Sequence, residues 1–392
     1  MTSPRLGRAA VAPVLFAAAV VAAPPPDPLI GYTELRTDLP DGRHANVRTM
    51  RATVVRADGT GRKPVAADLA VEPDAWTQFA GWAPVGTAAV IGQGWESPAN
   101  AAWEEQHKAF RFTPEGWRYD CHVIDLATGT GANLTAVDRV SFYNTGLFFW
   151  PGDPTRLGFQ ALIGGESRPF VMDRDGRNKR DLTKRAKGFA YGFNASPDGK
   201  RVAYHKDYQV FLADADGENA RRVETGHPFN FCPTWSPDGA EVLFLSGAHY
   251  DCHPHLVRAD GTGLRKLADR GGYRGVVEFL DVPDFHGGSS DVPAWAPDGR
   301  AVFYTARVGA GVELFRVSRD RKSERLTTSP AGTLHYHPTP SPDGRRLAYG
   351  SMRGGVRQLF VMDLTDLAER PLTALPKGRA AMWPHWQPAV ER

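Results

Sequence analysis

The sequence predicts an all-β fold, a seven-bladed β-propeller of four-stranded blades closed by N-terminal strands that join the C-terminal strand. Three observations carry this expectation. A Pro-Asp-Gly turn recurs along the chain, an anchor residue stands at a fixed place before it, and an acidic turn follows later in each unit. The anchors fall at Trp82, Trp150, Ala195, Trp235, Trp295, Pro340 and Trp386, with gaps of 68, 45, 40, 60, 45 and 46 residues. A period near 45 residues with several short strands per period is the spacing of propeller blades.

Each unit has the same internal order. The turn joins a first strand to a second, because Pro presets φ, Asp bonds its own backbone and Gly accepts positive φ. The second strand alternates apolar and polar residues, as in "AEVLFLS" (240 to 246), "RAVFYTA" (300 to 306) and "RRLAYGS" (345 to 351). Such a period of two buries one face of a sheet. A third strand ends in an acidic turn, as in "RPFVMDRDG" (168 to 176) and "QVFLADADG" (209 to 217), and a shorter fourth strand such as "ERLT" (324 to 327) closes the unit.

The two ends of the chain complement each other. "PHWQP" around Trp386 supplies only a first strand, whereas "LIGYTELRTD" (29 to 38) and "RATVVRADGTGRKPV" (51 to 65) read as later strands lacking a first. Joined, they make the seventh blade and pair edges that otherwise invite aggregation. Ahead of them, Arg5 and Arg8 precede an alanine-rich run to Ala23, followed by "PPPDP". The run falls short of the ~20 residues a membrane span needs, so residues 1–23 read as a secretory signal, 24–28 as a linker and 29–392 as one propeller domain. The expected location is periplasmic or secreted, with no membrane span in the mature chain.

Composition narrows the partners. A formal charge of +3 on 392 residues, without a Lys/Arg stripe, argues against nucleic acid. Cys121, Cys232 and Cys252 are too few for a disulfide framework, and Cys232 with Cys252 is the one close pair. The nucleophile elbow G-x-S-x-G is absent.

The "SPDG" turns at 196–199, 236–239 and 341–344, with "FVMDRDG" at 170–176 and "RLT" at 325–327, resemble the repeat of TolB and its relatives, also called the WD40-like or PD40 repeat. The resemblance runs from Leu29 to Gln387. It implies a propeller and leaves function to the loops, because one fold hosts many functions.

In a propeller, the loops entering first strands and those between second and third strands share one mouth of the channel. The longest departures from the repeat fall there, at 92–122 and 271–291. Long loops on a rigid scaffold concentrate binding function. His227, His286, His335 and His337 precede first strands, and His249 and His253 lie between second and third strands, so all six are expected at this mouth. His335 and His337, two apart on a strand, would share a face. With His286 and Asp291 they are candidate ligands for Mn or Zn; the alternative is a set of half-exposed, hydrogen-bonding histidines.

His335-x-His337-Pro338 ahead of the turn also resembles the metal-binding segment of oligogalacturonate lyases, which are manganese-dependent propellers. That likeness implies His335 and His337 as ligands and β-elimination as the chemistry. Val292 beside Asp291 stands where a third histidine ligand is expected, and His227 is nearest the place of the base. Elimination needs that base to take the α-proton and a cation to hold the uronate carboxylate.

Arg36, Arg307 and Arg353 each follow a second strand and are candidates to clamp a carboxylate or sulfate, or else to bond across the hairpin. Trp95, Trp103 and Trp117 lie off the blade period and are candidates to stack on a sugar or a partner chain. The sequence thus supports a module that binds a protein or an oligosaccharide through its mouth loops, with a metal-dependent polysaccharide lyase or hydrolase as the alternative.

Overall fold

A computed structural model of the protein describes residues 27–40, 42–109, 111–113, 115–136, 146–163, 165–184, 186–275 and 291–389. The proposed signal segment and His286 lie outside the described residues. Among the described residues the fold is strand-rich, and no helix is long and apolar enough to cross a membrane.

Antiparallel quartets of strands follow one another along the chain. Four are separate sheets. They comprise Ala75–Trp82 to Gly131–Asn133, Phe148–Phe149 to Arg180–Asp181, Ala190–Ala195 to Arg221–Arg222, and Phe229–Trp235 to Arg265–Lys266. The remaining strands form one twelve-stranded sheet. It holds three antiparallel quartets bridged by the isolated parallel pairings Val312↔Leu334 and Arg357↔Ala380. In the last quartet Arg379–Trp386 pairs antiparallel with Leu29–Arg36, which continues to Arg51–Arg56 and Lys63–Pro64. The two ends of the chain therefore build one sheet, as their complementary strand patterns predict.

The Ser-Pro-Asp-Gly turns show why this tetrapeptide recurs. Ser236 Oγ donates to Asp238 Oδ1 at 2.6 Å and accepts from the Glu241 N–H at 2.9 Å, while Asp238 Oδ1 also accepts from the Ala240 N–H at 3.0 Å. Gly239 at φ 67° returns its N–H to the Ser236 carbonyl at 2.8 Å. The turns at Ser196 and Ser341 repeat the set. The serine and aspartate side chains close the turn on its own backbone, and its outer acceptors, Asp238 Oδ2 and the Gly199 and Gly239 carbonyls, bond neighbouring units, so the motif is architecture.

The anchor tryptophans clasp one sheet to the next. Trp82 Nε1 donates to the His385 carbonyl at 2.9 Å, Trp150 Nε1 to Gly199 at 3.0 Å, Trp295 Nε1 to Thr234 at 3.3 Å and Trp386 Nε1 to Thr339 at 2.9 Å. An arginine lies over the rings of Trp150, Trp235, Trp295 and Trp386. The apolar face thus packs between sheets while the indole N–H and the arginine satisfy its rim.

Close approach inside a sheet fixes some glycines. A Cβ on Gly350 would stand 2.0 Å from Cε2 of the buried Tyr336. Gly350→Ala is therefore expected to cost about 1–3 kcal/mol by overpacking. Urea denaturation should show a lower midpoint at unchanged slope; an unmoved midpoint would mean that Tyr336 yields freely.

Candidate functional site

The first strands carry a repeated irregularity that decides where the sequence-predicted ligands point. Gly192, Cys232, His337 and Trp383 have φ between 48° and 66°, and the strand register slips at each. Each is a β-bulge residue three positions before its anchor, and the bulge re-aims the side chain. His337 therefore does not share a face with His335. The period-two expectation fails because it assumes a regular strand between them.

His335 turns into the protein. It is fully buried, its Nε2 lies 2.8 Å from Ser329 Oγ and 3.6 Å from Glu313 Oε2, and Tyr349 meets its ring edge-on. Burial pushes its pKa down to about 4, so the ring is neutral. Its Nδ1 is buried without a hydrogen-bond partner. Serine and glutamate both approach Nε2, whereas a nucleophile-base-orienter relay needs them on opposite ring nitrogens. Glu313 also accepts from Thr327 Oγ1 and from the Ser329 N–H, as Gln358 in the next quartet accepts from Thr373 Oγ1 and the Leu375 N–H. The carboxylate belongs to the repeat scaffold, and His335 latches onto it.

The residue before each bulge forms a buried apolar series of Tyr191, Phe231, Tyr336 and Met382. At the same place, four residues before anchor Trp295, the chain has Asp291, which is 2% exposed. Asp291 Oδ2 accepts from Thr305 Oγ1 at 2.6 Å, and Oδ1 accepts from the His337 N–H at 2.9 Å. Arg270 Nη2 stands 4.0 Å from Asp291 Oδ2.

Arg270 faces Asp291 from a place that varies between units. It lies three residues after Leu267, whose N–H closes the fourth strand on the Pro254 carbonyl; the matching places after Leu182, Val223, Leu326 and Leu372 hold Arg185, Gly226, Ser329 and Leu375. Its backbone N–H donates to His253 Nδ1 at 3.2 Å and its Nε to the Thr305 carbonyl at 3.2 Å. An accepting Nδ1 leaves the His253 proton on Nε2, 3.2 Å from Asp251. The Arg270 guanidinium sits 4.6 Å over the Tyr273 ring, and both residues are 1% exposed. Burial, with Asp291 adding to it, holds the Tyr273 phenol well above its usual pKa. Arg270, Tyr273, Asp291 and Thr305 thus form a buried polar cluster, in which Asp291 takes the place of an apolar side chain in other units. The sequence singled out Asp291 as a metal candidate and missed Arg270 and Tyr273; the place of Arg270 varies between units and holds an arginine in one other, Arg185, so position alone did not mark it.

The other expected site residues disperse. His227 is exposed beside Thr225 and Asn230, with its ring 5.6 Å from that of His255. His249 packs on Phe229 and Tyr250. Among the described residues no group of three or more His, Cys, Asp or Glu is placed to hold a metal ion. The described residues therefore do not fit a manganese centre, since His335 is committed to Ser329 and His337 is turned away from it. None of Cys121, Cys232 and Cys252 is joined in a disulfide, so the one close pair is not bridged.

The arginines bond across their hairpins. Arg353 pairs with both oxygens of Glu369 at 2.6 and 2.8 Å and lies over Phe360, and Arg36 pairs with Asp38 at 2.9 Å. The Arg307 N–H donates to the Arg270 carbonyl, which brings it to the edge of the cluster. Trp117 is 3% exposed and stacks on Tyr119 and Phe112, so it is core and not a binding platform, a correction that its off-period position concealed. Trp95 and Trp103 remain half-buried. Arg118 lies 4.5 Å over Trp95 and Arg111 5.2 Å over Trp103. Trp103 sits on a helix, Pro98–His107, that the first insert forms between second and third strands; Ser97 caps it and Pro98 takes its first turn.

Comparison with known proteins agrees with this architecture. The TolB β-propeller domain model matches residues 205–391, just under half of the chain. A TolB homologue of Chlorobium luteolum is 25% identical over 156 residues, 40% of this chain and 31% of that protein. An uncharacterised peptidase of Bacillus subtilis, YuxL, is 27% identical over 192 residues, 46% of this chain and 25% of the peptidase. The matches thus span about a quarter to a third of these relatives' own length. Among solved structures, TolB from Acinetobacter baumannii superposes with a TM-score of 0.51 at 17% identity, covering 92% of this chain and 67% of that one. An oligogalacturonate lyase in complex with manganese gives 0.55 at 15% identity, covering 88% and 84%. Repeat, turn chemistry, strand order and these likenesses agree on a propeller-like fold whose residues 205–391 match the TolB β-propeller domain.

Proposed function

We propose that the chain is an exported, closed propeller of seven blades, residues 29–392, that binds a protein partner through the loops of one mouth. The observation that supports this most is the insert between second and third strands of the first sheet. It holds Trp103 on a short helix with Arg111 over its ring, and Trp95 at the strand end with Arg118 over it. Tryptophan and arginine held half-exposed on rigid elements are the side chains that anchor protein interfaces. The family and the strand order support the closed ring, in which the sheet built from both chain ends is the seventh blade.

A photo-crosslinking residue placed at Trp103 and, as a control, at Asp298 in a turn at the opposite end of the sheets tests the reading. Expressed in the native host, the first variant should give a discrete crosslinked species and the control none. Equal crosslinking at both positions, or at neither, would argue against a mouth-borne partner. Unsaturated-product absorbance on oligogalacturonides with added manganese would replace the binding reading by the lyase alternative.

A further inference from the structure

Arg270 is a buried cation whose two terminal nitrogens, Nη1 and Nη2, have no hydrogen-bond partner. Its Nε is used by the Thr305 carbonyl, and Asp291 at 4.0 Å lies beyond hydrogen-bond reach of Nη2. The Tyr273 hydroxyl beside it is likewise buried, with the Asp291 carboxylate as its nearest acceptor, beyond full hydrogen-bond distance. A guanidinium taken out of water loses its hydration and recovers it only through paired acceptors. Among the described residues there is one acceptor for Nε and none for the outer edge. That edge, Nη1 with Nη2, is the fork that a carboxylate fills with two parallel hydrogen bonds.

The surroundings select the charge of the occupant. The Asp291 carboxylate accepts from Thr305 Oγ1 and the His337 N–H, and it faces the same guanidinium. A dianion such as phosphate would meet that carboxylate with twice the repulsion of a monoanion. Arg307, whose N–H bonds the Arg270 carbonyl, adds positive charge at the edge of the cluster. The cluster also ties three successive quartets together, through His253, Thr305 and His337.

We propose that Arg270, with Tyr273 as second donor and Asp291 as orienting carboxylate, is a binding site for a monoanionic carboxylate. This goes beyond the mouth-binding reading, because it concerns the wall between quartets and holds or fails independently of Trp103. Asp291 fixes the Thr305 hydroxyl and the His337 backbone, which keeps Arg270 presented from the Thr305 carbonyl.

Saturation-transfer NMR with acetate as the probe, at constant ionic strength and pH 7.5, tests the site. Wild-type protein is expected to give an acetate signal that phosphate does not displace at equal concentration. Arg270→Gln should abolish it. Because Arg270 is buried and that variant could unfold, Arg270→Lys and Tyr273→Phe are measured beside it, with circular dichroism to establish folding. Folded Arg270→Lys should lower the signal several-fold, since an ammonium lacks the fork, and Tyr273→Phe should lower it less. No acetate signal in wild type, the same signal in folded Arg270→Lys, or full displacement by phosphate would each overturn the proposal.

Discussion

Between pH 7.5 and pH 5 the protein is expected to lose about 6 kcal/mol of unfolding free energy, about 2 kcal/mol through each of three histidines. Burial lowers the pKa of His335, His255 and His385 to about 4. An unfolded histidine titrates near 6.5. The folded pKa is thus depressed, and as pH falls through 6.5 the unfolded chain takes up protons that the folded chain refuses. The stabilisation is complete above pH 6.5 and is lost progressively down to about pH 4. Burial lowers His122 and His253 in the same direction.

The turn carboxylates do not confuse this window. Asp198, Asp238 and Asp343 are lowered from ordinary carboxylate values, so their contribution disappears only below the unfolded carboxylate range. Urea denaturation at pH 7.5, 6 and 5 measures the effect, and His335→Gln should remove about a third of the slope. Stability that stays flat from pH 7.5 to 5 would mean that these rings become protonated without unfolding.

Trp386→Ala is expected to cost about 3–5 kcal/mol, the range for removing a large aromatic from a core. The ring is 6% exposed, its Nε1 bonds the Thr339 carbonyl, and Arg346 lies 5.0 Å over it. It also sits on the strand that pairs with Leu29–Arg36, so its loss weakens the contact between the two ends of the chain. Trp103→Ala, on a half-exposed helix, should change stability by under about 1 kcal/mol. Equal losses in the two variants, measured by thermal or urea unfolding, would contradict the distinction between clasp and surface tryptophans.

That distinction shows where the sequence sufficed. The bonds that shape the Ser-Pro-Asp-Gly turn are made within six residues, so its sequence alone identifies it. Trp82, Trp150, Trp235, Trp295 and Trp386 recur with the turn and could be assigned to packing for that reason. Trp117 could not, because its burial depends on Tyr119 and Phe112 in an insert with no counterpart in other units. The pair His335 and His337 misled for a local reason, since a bulge residue with positive φ breaks the alternation that strand periodicity presumes. Arg270 stayed hidden because its place varies from unit to unit, with Arg185, Gly226, Ser329 and Leu375 at matched positions. Burial against Tyr273 and Asp291, which only the structure shows, sets it apart.

The sheet made from both chain ends also sets a clock on biosynthesis. About 340 residues separate Leu29–Arg36 from the strand Arg379–Trp386 that covers its open edge. At ~5–20 residues per second a ribosome takes roughly 20–70 s to make that stretch. Throughout that interval the earliest strands are finished but lack their neighbour, and an unpaired strand edge recruits other chains. Maturation of this protein is therefore paced by its last strand, and a chaperone that shields the first fifty-odd residues of the propeller would act on the step that topology makes slowest.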